Sequence, residues 1–281
     1  MPDKRSDINS GSSIRDLDAY LSGLKLYGDD FSISAIRDWY DDEKEAYRRL
    51  GAGNRDAYSY AYHALNALHG FSGLEARRFR HCLGFGSAYG DELLPIVDRL
   101  KGITIVDSSE VFKVSALGGV PVTFVQASNS GNLPFEDETF DLVTALGVLH
   151  HIPNVTHVIN ELFRCIEPGG VALLREPIVS MGDWSAPRPG LTKRERGIPA
   201  SIFLGIVVST GFRVVRQRYC VFSLMQRLGR TLRFKPYAYS VTSKVDWLLS
   251  SAFRWNQTYH PKTVWQKVQP TSLYLLLEKP Q

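Results

Sequence analysis

The sequence predicts an α/β fold: a doubly wound sheet with helices on both faces, entered through a helical cap and interrupted near its end by an inserted lobe. Three observations carry this. From residue 78 onward short apolar runs alternate with helical patterns, as parallel strands covered on both faces do. The stretch HCLGFGSAYGDE (81–92) passes from strand to helix through Gly84 and Gly86. The next apolar run, Ile103–Asp107, ends in a carboxylate.

Taken in order, residues 1–13 (MPDKRSDINSGSS) are polar, read as a disordered tail, and contain no apolar core of a signal peptide. Residues 14–75 form the helical cap, with apolar positions at Ile14, Leu17 and Leu21, then at Ile36, Trp39, Tyr40 and Tyr47. A third helix, Ala57–His69, stops at Gly70. Tyr58, Tyr62 and Leu65 read as its buried face, against a functional reading in which Tyr58, Tyr60, Tyr62 and His63 reach a ligand. The core, 76–222, is expected to hold strands near 80–84, 103–107, 122–126, 140–146, 170–175 and 212–222. Helices are expected at 91–100, 109–117, 155–167 and 193–209. An insertion at 223–270 precedes a final strand within 271–281.

Composition narrows the classes. The chain has 281 residues, 44% hydrophobic, enough for a sizeable core. Its three cysteines, Cys82, Cys165 and Cys220, show no metal or redox spacing, so no metal is expected and a reducing cytoplasm is the natural setting. No apolar run approaches the ~20 residues of a spanning helix. Net charge is +4, but the insertion holds eight bases against one acid, Asp246, so the rest of the chain is acidic.

Glycines at a strand-to-helix turn let backbone approach a ligand, and an acid ending the next strand accepts both hydroxyls of a ribose. That combination points to a nucleoside-containing cofactor. Tyr89 stands where a third dinucleotide glycine belongs, and no Gly-Lys-Ser/Thr follows, so a P-loop is excluded. S-adenosylmethionine (SAM), which has no pyrophosphate, suits such a turn. With LPFEDETFDLVTALGVLHHIPN (133–154) and RCIEPGGVALLREP (164–177), the chain resembles the class I SAM-dependent methyltransferases, in the small-molecule branch that methylates quinone rings and sugar hydroxyls.

The resemblance covers residues 78–222 and implies seven strands, the last inserted beside the sixth. It implies cofactor contacts from Gly84, Gly86, Asp107, Ser108 and Ala145. It also places Asn129 where the family carries an Asp reading the adenine amino group; an Asn accepts the same bond. Cys82 departs from the pattern, because the family carries there an acid that holds the methionine ammonium. Asp91 or Glu92 is the candidate replacement, against a reading as acids in a first helical turn.

Methyl transfer to a hydroxyl requires alignment, exclusion of water and removal of a proton. His150 and His151 follow the strand 140–146, and Glu176 ends the next one, so an imidazole–carboxylate pair is expected, with His150 as general base. His157 is expected on a helix surface. The loop 182–190 offers Trp184 and Arg188 to the acceptor, and Thr192 reads as the N-cap of the helix after it. The insertion interleaves Arg227, Arg230, Arg233, Lys235 and Lys244 with aromatics, which suits a phosphorylated ligand, a sugar face or an anionic membrane surface. No nucleic-acid motif accompanies it. The expected activity is SAM-dependent methylation of a small-molecule hydroxyl, foremost a sugar of a nucleotide- or lipid-linked glycan. A quinone or other aromatic ring is the alternative acceptor. A non-catalytic SAM-fold binding protein is the alternative class. The expected location is the cytoplasm, with peripheral contact at the inner membrane face.

Overall fold

A computed structural model describes residues 14–49, 55, 58–74, 76–182, 184, 188 and 190–281. The tail expected at 1–13 lies outside the described residues. Three helices open the described chain: α1 (Ile14–Leu21), α2 (Ile33–Arg49) and α3 (His63–His69). The core then runs β1 (Cys82–Phe85), β2 (Ile103–Asp107), β3 (Ala116–Leu117), β4 (Val120–Gln126), β5 (Phe140–Leu146), α4 (Val155–Cys165), β6 (Ile166–Pro177), α5 (Ala200–Thr210) and β7 (Arg213–Phe222). The lobe carries α6 (Ser223–Thr231) and α7 (Ser240–Ala252), and β8 (Pro270–Glu278) closes the sheet.

The eight strands lie in the order β3-β4-β2-β1-β5-β6-β8-β7, so β8 is inserted antiparallel between β6 and β7. The doubly wound class and the inserted last strand are as the sequence reads. Burial explains why these runs are strands. β1 and all but the last residue of β5 are buried, as interior parallel strands must be, whereas β4, nearer the edge, alternates. One core packs α4 and α5 on one face of the sheet, and a second packs α3 and the turn after β1 on the other.

Four expected elements differ. The helix read at 109–117 is a single 3₁₀ turn, Glu110–Phe112, followed by a hairpin of β3 and β4. Gly118 and Gly119 both take positive φ there, which drives a tight turn and adds the eighth strand. The segment 91–100 is a 3₁₀ helix, Asp91–Arg99, with Pro95 inside. The helix read at 193–209 begins only at Ala200. Thr192 and Glu195 make the reciprocal bonds of a capping box, but Gly197 and Pro199 stop propagation at once. The helix read from Ala57 begins at His63; residues 58–62 are not helical, and Ala57 lies outside the described residues.

Candidate active site

The carboxyl ends of β1, β2, β5 and β6 surround two adjoining cavities. One, about 430 Å³, is floored by the glycine turn and reaches Asp107, Ser108 and Asn129. The other, about 500 Å³, is lined by His150, Pro177, Met181, Gln226 and Arg230. Tyr62, Gly147 and Arg175 line both, so the cavities meet at the end of β5.

In the first cavity, Gly86 has φ +63°, and a Cβ there would lie 2.1 Å from a Val148 methyl carbon. Only glycine lets the turn pass this close to the β5 loop. Gly84 lies behind the turn and is absent from the described lining. Ala88 donates its N–H to Asp107 (2.9 Å), which holds one carboxylate oxygen and aims the group at the cavity. Burial pushes the Asp107 pKa upward, against the backbone bonds that lower it. Asn129 gives its amide N–H to Asp41 (2.8 Å), leaving its carbonyl oxygen for another donor. Ala145 is a correction. It is buried in the α4/α5 core, and strand alternation brings Leu146 to the cavity instead. The tyrosine segment is another: Tyr58, Tyr60 and Tyr62 line the cavity rather than forming the buried face of a helix.

Cys82 is fully buried and burial holds its thiol neutral, so it offers no charge. Asp91 is taken by Arg55 in a two-bonded pair (2.8 and 2.9 Å). Glu92 lines the cavity beside Ser87, and burial pushes its carboxyl up to about 7.

The second cavity is organised by His150. Its Nδ1 lies 2.7 Å from Glu176, so this nitrogen carries the proton that the carboxylate accepts. Its Nε2 faces Glu195 at 3.5 Å. Burial opposes charge on this ring, but bonds to Glu176 and Glu195 outweigh it and raise its pKa to about 9. Glu195, likewise against burial, is held at about 2 by its bond to His150 and the charges of His151 and His150. His151 turns to the first cavity and pairs through Nδ1 with Glu43 (3.1 Å), which also accepts from Thr192 (2.7 Å).

Glu176 has a second task. It accepts N–H bonds from Val148, Leu149 and His150, fixing the 3₁₀ turn Leu149–His151. From the other side Arg196, fully buried, donates to the carbonyls of Leu149, His150, Ile152 and Pro153, and to Tyr27 of the cap. Trp184 and Arg188 line neither cavity among the described residues. Trp184 stacks on Tyr27 (5.0 Å between centroids), and Arg188 clasps backbone carbonyls of its own loop, including Glu195 (2.5 Å). His157 is exposed on α4.

Sequence reading missed Glu43, Glu195, Arg175 and Arg196. Two signals existed: the Thr192-x-x-Glu195 capping box, and a charge, Arg175, inside the apolar run of β6. Nothing local marked Glu43 or Arg196.

Residues 82–174 match the methyltransferase-domain family. Among similar proteins, sterol 4-C-methyltransferase of Caenorhabditis elegans is 34% identical over 103 residues, 34% of this chain and 31% of that one. Demethylmenaquinone methyltransferase of Bacillus cytotoxicus is 42% identical over 64 residues, 23% of this chain and 27% of that one. The match thus spans less than a third of either relative. Among solved structures, a candidate methyltransferase from Bacillus halodurans superposes with TM-score 0.50 at 17% identity, covering 75% of this chain and 99% of its own. A chain from the Haloferax volcanii complex of the Trm112 methyltransferase activator and a candidate methyltransferase gives TM-score 0.53 at 13% identity, covering 88% and 98%. Over residues 82–174 the chain is thus similar to a methyltransferase domain, and its fold is that of these solved structures. SAM is the cofactor of that domain, and the first cavity, with its glycine turn and ribose-facing acid, fits it.

Arg196→Met removes the side-chain donor from four loop carbonyls and from the Tyr27 carbonyl, although Leu149, His150 and Pro153 each keep a backbone N–H. It is expected to cost about 3–4 kcal/mol of stability, read from urea unfolding.

Proposed function

We propose that this protein is a SAM-dependent methyltransferase acting on a hydroxyl of a small molecule held in the second cavity. The observation that carries the reading is His150, lining that cavity with Nδ1 fixed by Glu176. SAM, when bound, supplies an electrophilic methyl. Asp107 holds its ribose, the turn at Gly86 and Ala88 gives backbone room, Ser108 adds a hydroxyl at the ribose end, and Asn129 accepts from the adenine amine. His150 receives the acceptor's proton on Nε2, and Glu176 stabilises the imidazolium that results. Glu195, 3.5 Å from Nε2 and outside the lining of both cavities, favours the charged ring. His151, paired with Glu43 at the rim of the first cavity, shapes the wall between donor and acceptor.

The named relatives methylate sterol carbon and demethylmenaquinone. Either acceptor must lose a proton, and an imidazole tethered to a buried carboxylate beside a polar cavity suits a hydroxyl. A lipid-linked sugar and a ring hydroxyl both suit the mixed lining of Arg230, Gln226, Pro177 and Met181. Lipid-borne acceptors also suit α6, which flanks the cavity. It exposes Leu224 (44%), Leu228 (45%) and, just beyond its end, Leu232 (62%) at helical spacing, with Arg227 and Arg230 between them and Arg233 next in the chain. No described helix is long and apolar enough to cross a membrane.

Asp107→Ala should abolish measurable SAM binding with the fold intact, since charge-assisted bonds contribute about 1.5–3 kcal/mol each. Calorimetry and circular dichroism check both halves. His150→Ala should slow single-turnover methyl transfer by ~10²–10⁴-fold, with Glu176→Gln costing less and the double variant little worse than the first. Because the base form of His150 grows as pH rises through about 9, the parental rate should climb with pH and level off above that value. A His150→Ala rate near parental would move the acceptor atom to carbon. For the surface, neutralising Arg227, Arg230 and Arg233 should release the protein from phosphatidylglycerol vesicles at low salt, each charge contributing ~1 kcal/mol. Parental vesicle binding that ignores salt would rule the contact out.

A further inference from the structure

Two charged side chains, both deeply buried, face the first cavity without a protein counter-ion. Glu92 is 3% exposed and Arg175 is 6% exposed. They do not pair with each other, and among the described residues no carboxylate lies within 4.0 Å of the Arg175 guanidinium. Arg175 donates to Asn66 (3.1 Å) and to the Leu146 carbonyl (3.2 Å), and it lies over the Tyr62 ring at 3.9 Å. Among the described residues its remaining donors have no hydrogen-bond partner. Asn66 in turn donates to the Tyr60 hydroxyl (2.8 Å), so that hydroxyl keeps its own hydrogen to give. An isolated charge taken out of water costs several kcal/mol unless something pairs with it. A cavity that keeps one of each sign, separated, is shaped for a ligand that carries both.

We propose that Glu92 and Arg175, with Tyr60, form a zwitterion subsite: Glu92 takes the α-ammonium and Arg175 and Tyr60 take the α-carboxylate of the amino-acid end of SAM. This rests on the methyltransferase reading and extends it to residues outside the glycine turn. It also accounts for Cys82. The strand position that carries an acid in the resembled family is neutral here, and the carboxylate arrives instead from the turn ten positions later in the chain. Glu92 Oε1 lies 3.6 Å from where a Gly84 Cβ would stand, so it reaches back under the glycine turn. Asp91 is excluded from the role by its pairing with Arg55.

The subsite has a pH signature. Burial raises the Glu92 pKa to about 7. The form that binds an ammonium is the ionised one, so affinity should fall as pH drops through that value. Groups facing Glu92 from the packed elements are Asp91, Arg175, the Ser87 hydroxyl, Tyr58, Tyr60, Cys82 and Tyr274.

The test is calorimetry on the full chain with two neutral thioethers: S-adenosylhomocysteine, and 5′-methylthioadenosine, which lacks the amino-acid end. The parent should bind the first about 10- to 100-fold more tightly at pH 8, with the gap narrowing at pH 6. Glu92→Gln should close most of the gap, remove its pH dependence and leave methylthioadenosine affinity unchanged; Arg175→Gln should act in the same direction. Unchanged adenosylhomocysteine affinity in Glu92→Gln overturns the proposal, as does a parent that binds both compounds equally. Should Arg175→Gln fail to fold, Glu92→Gln decides alone. A parent that binds neither nucleoside defeats the methyltransferase reading itself, a result distinct from equal binding.

Discussion

The site depends on how one irregular stretch of backbone is kept satisfied away from water. Residues 148–153 leave β5 as a single 3₁₀ turn flanked by irregular backbone and are mostly buried, so their N–H and C=O groups need partners. Two ions of opposite sign supply them. Glu176 gathers the N–H groups at 148–150, and Arg196 gathers four carbonyls from the far side. Each buried ion is offset by several dipoles, and neither needs a salt bridge to the other. The same arrangement holds the cap in place, because Arg196 also bonds Tyr27 and the Trp39 indole donates to His151 (2.8 Å). Cap and core therefore meet on the loop that carries both histidines.

From this follows the electrostatics of the ring. Had Glu176 served only as a loop anchor, His150 would be a buried imidazole with a lowered pKa, as burial makes His69, which falls to about 3. With Nδ1 on Glu176 and Nε2 toward Glu195, the same burial instead surrounds a favoured imidazolium. The structure thus sets the direction in which a proton moves: toward the ring, with the charge it creates already matched.

How much of this the sequence disclosed divides along a physical line. Strands were legible because burial on both faces writes continuous apolar runs, and the glycine turn because only glycine tolerates its contact with Val148. The pairing of His150 with Glu176 was legible from adjacent parallel strands ending at the same level. Helix starts were less so, since the capping signal at Thr192 is local and Gly197 and Pro199, a few residues on, override it. Glu43, Glu195 and Arg196 were hidden because their partners lie far along the chain; Thr192, for one, meets Glu43 across 149 positions. Trp184 and Arg188 show the converse. Loop composition suggested ligand contacts, and tertiary structure used both side chains to hold the loop.

The departure at Cys82 shows how such a site tolerates change. In an interior strand flanked by parallel neighbours, an acid must be offset by ligand or dipoles at every moment, and with Cys82 there β1 is buried and carries no charge. Moving the charge to Glu92 places it on a 3₁₀ helix beyond the turn, where Ser87 can bond it when no ligand is present. The cost is a carboxyl that titrates near neutrality instead of well below it. A strand acid would make cofactor affinity flat across physiological pH, whereas this placement makes it a function of pH. Donor binding, governed by Glu92 near pH 7, and proton removal, governed by His150 near pH 9, then both improve as pH rises from acid toward neutral, so the two steps favour the same side of neutrality.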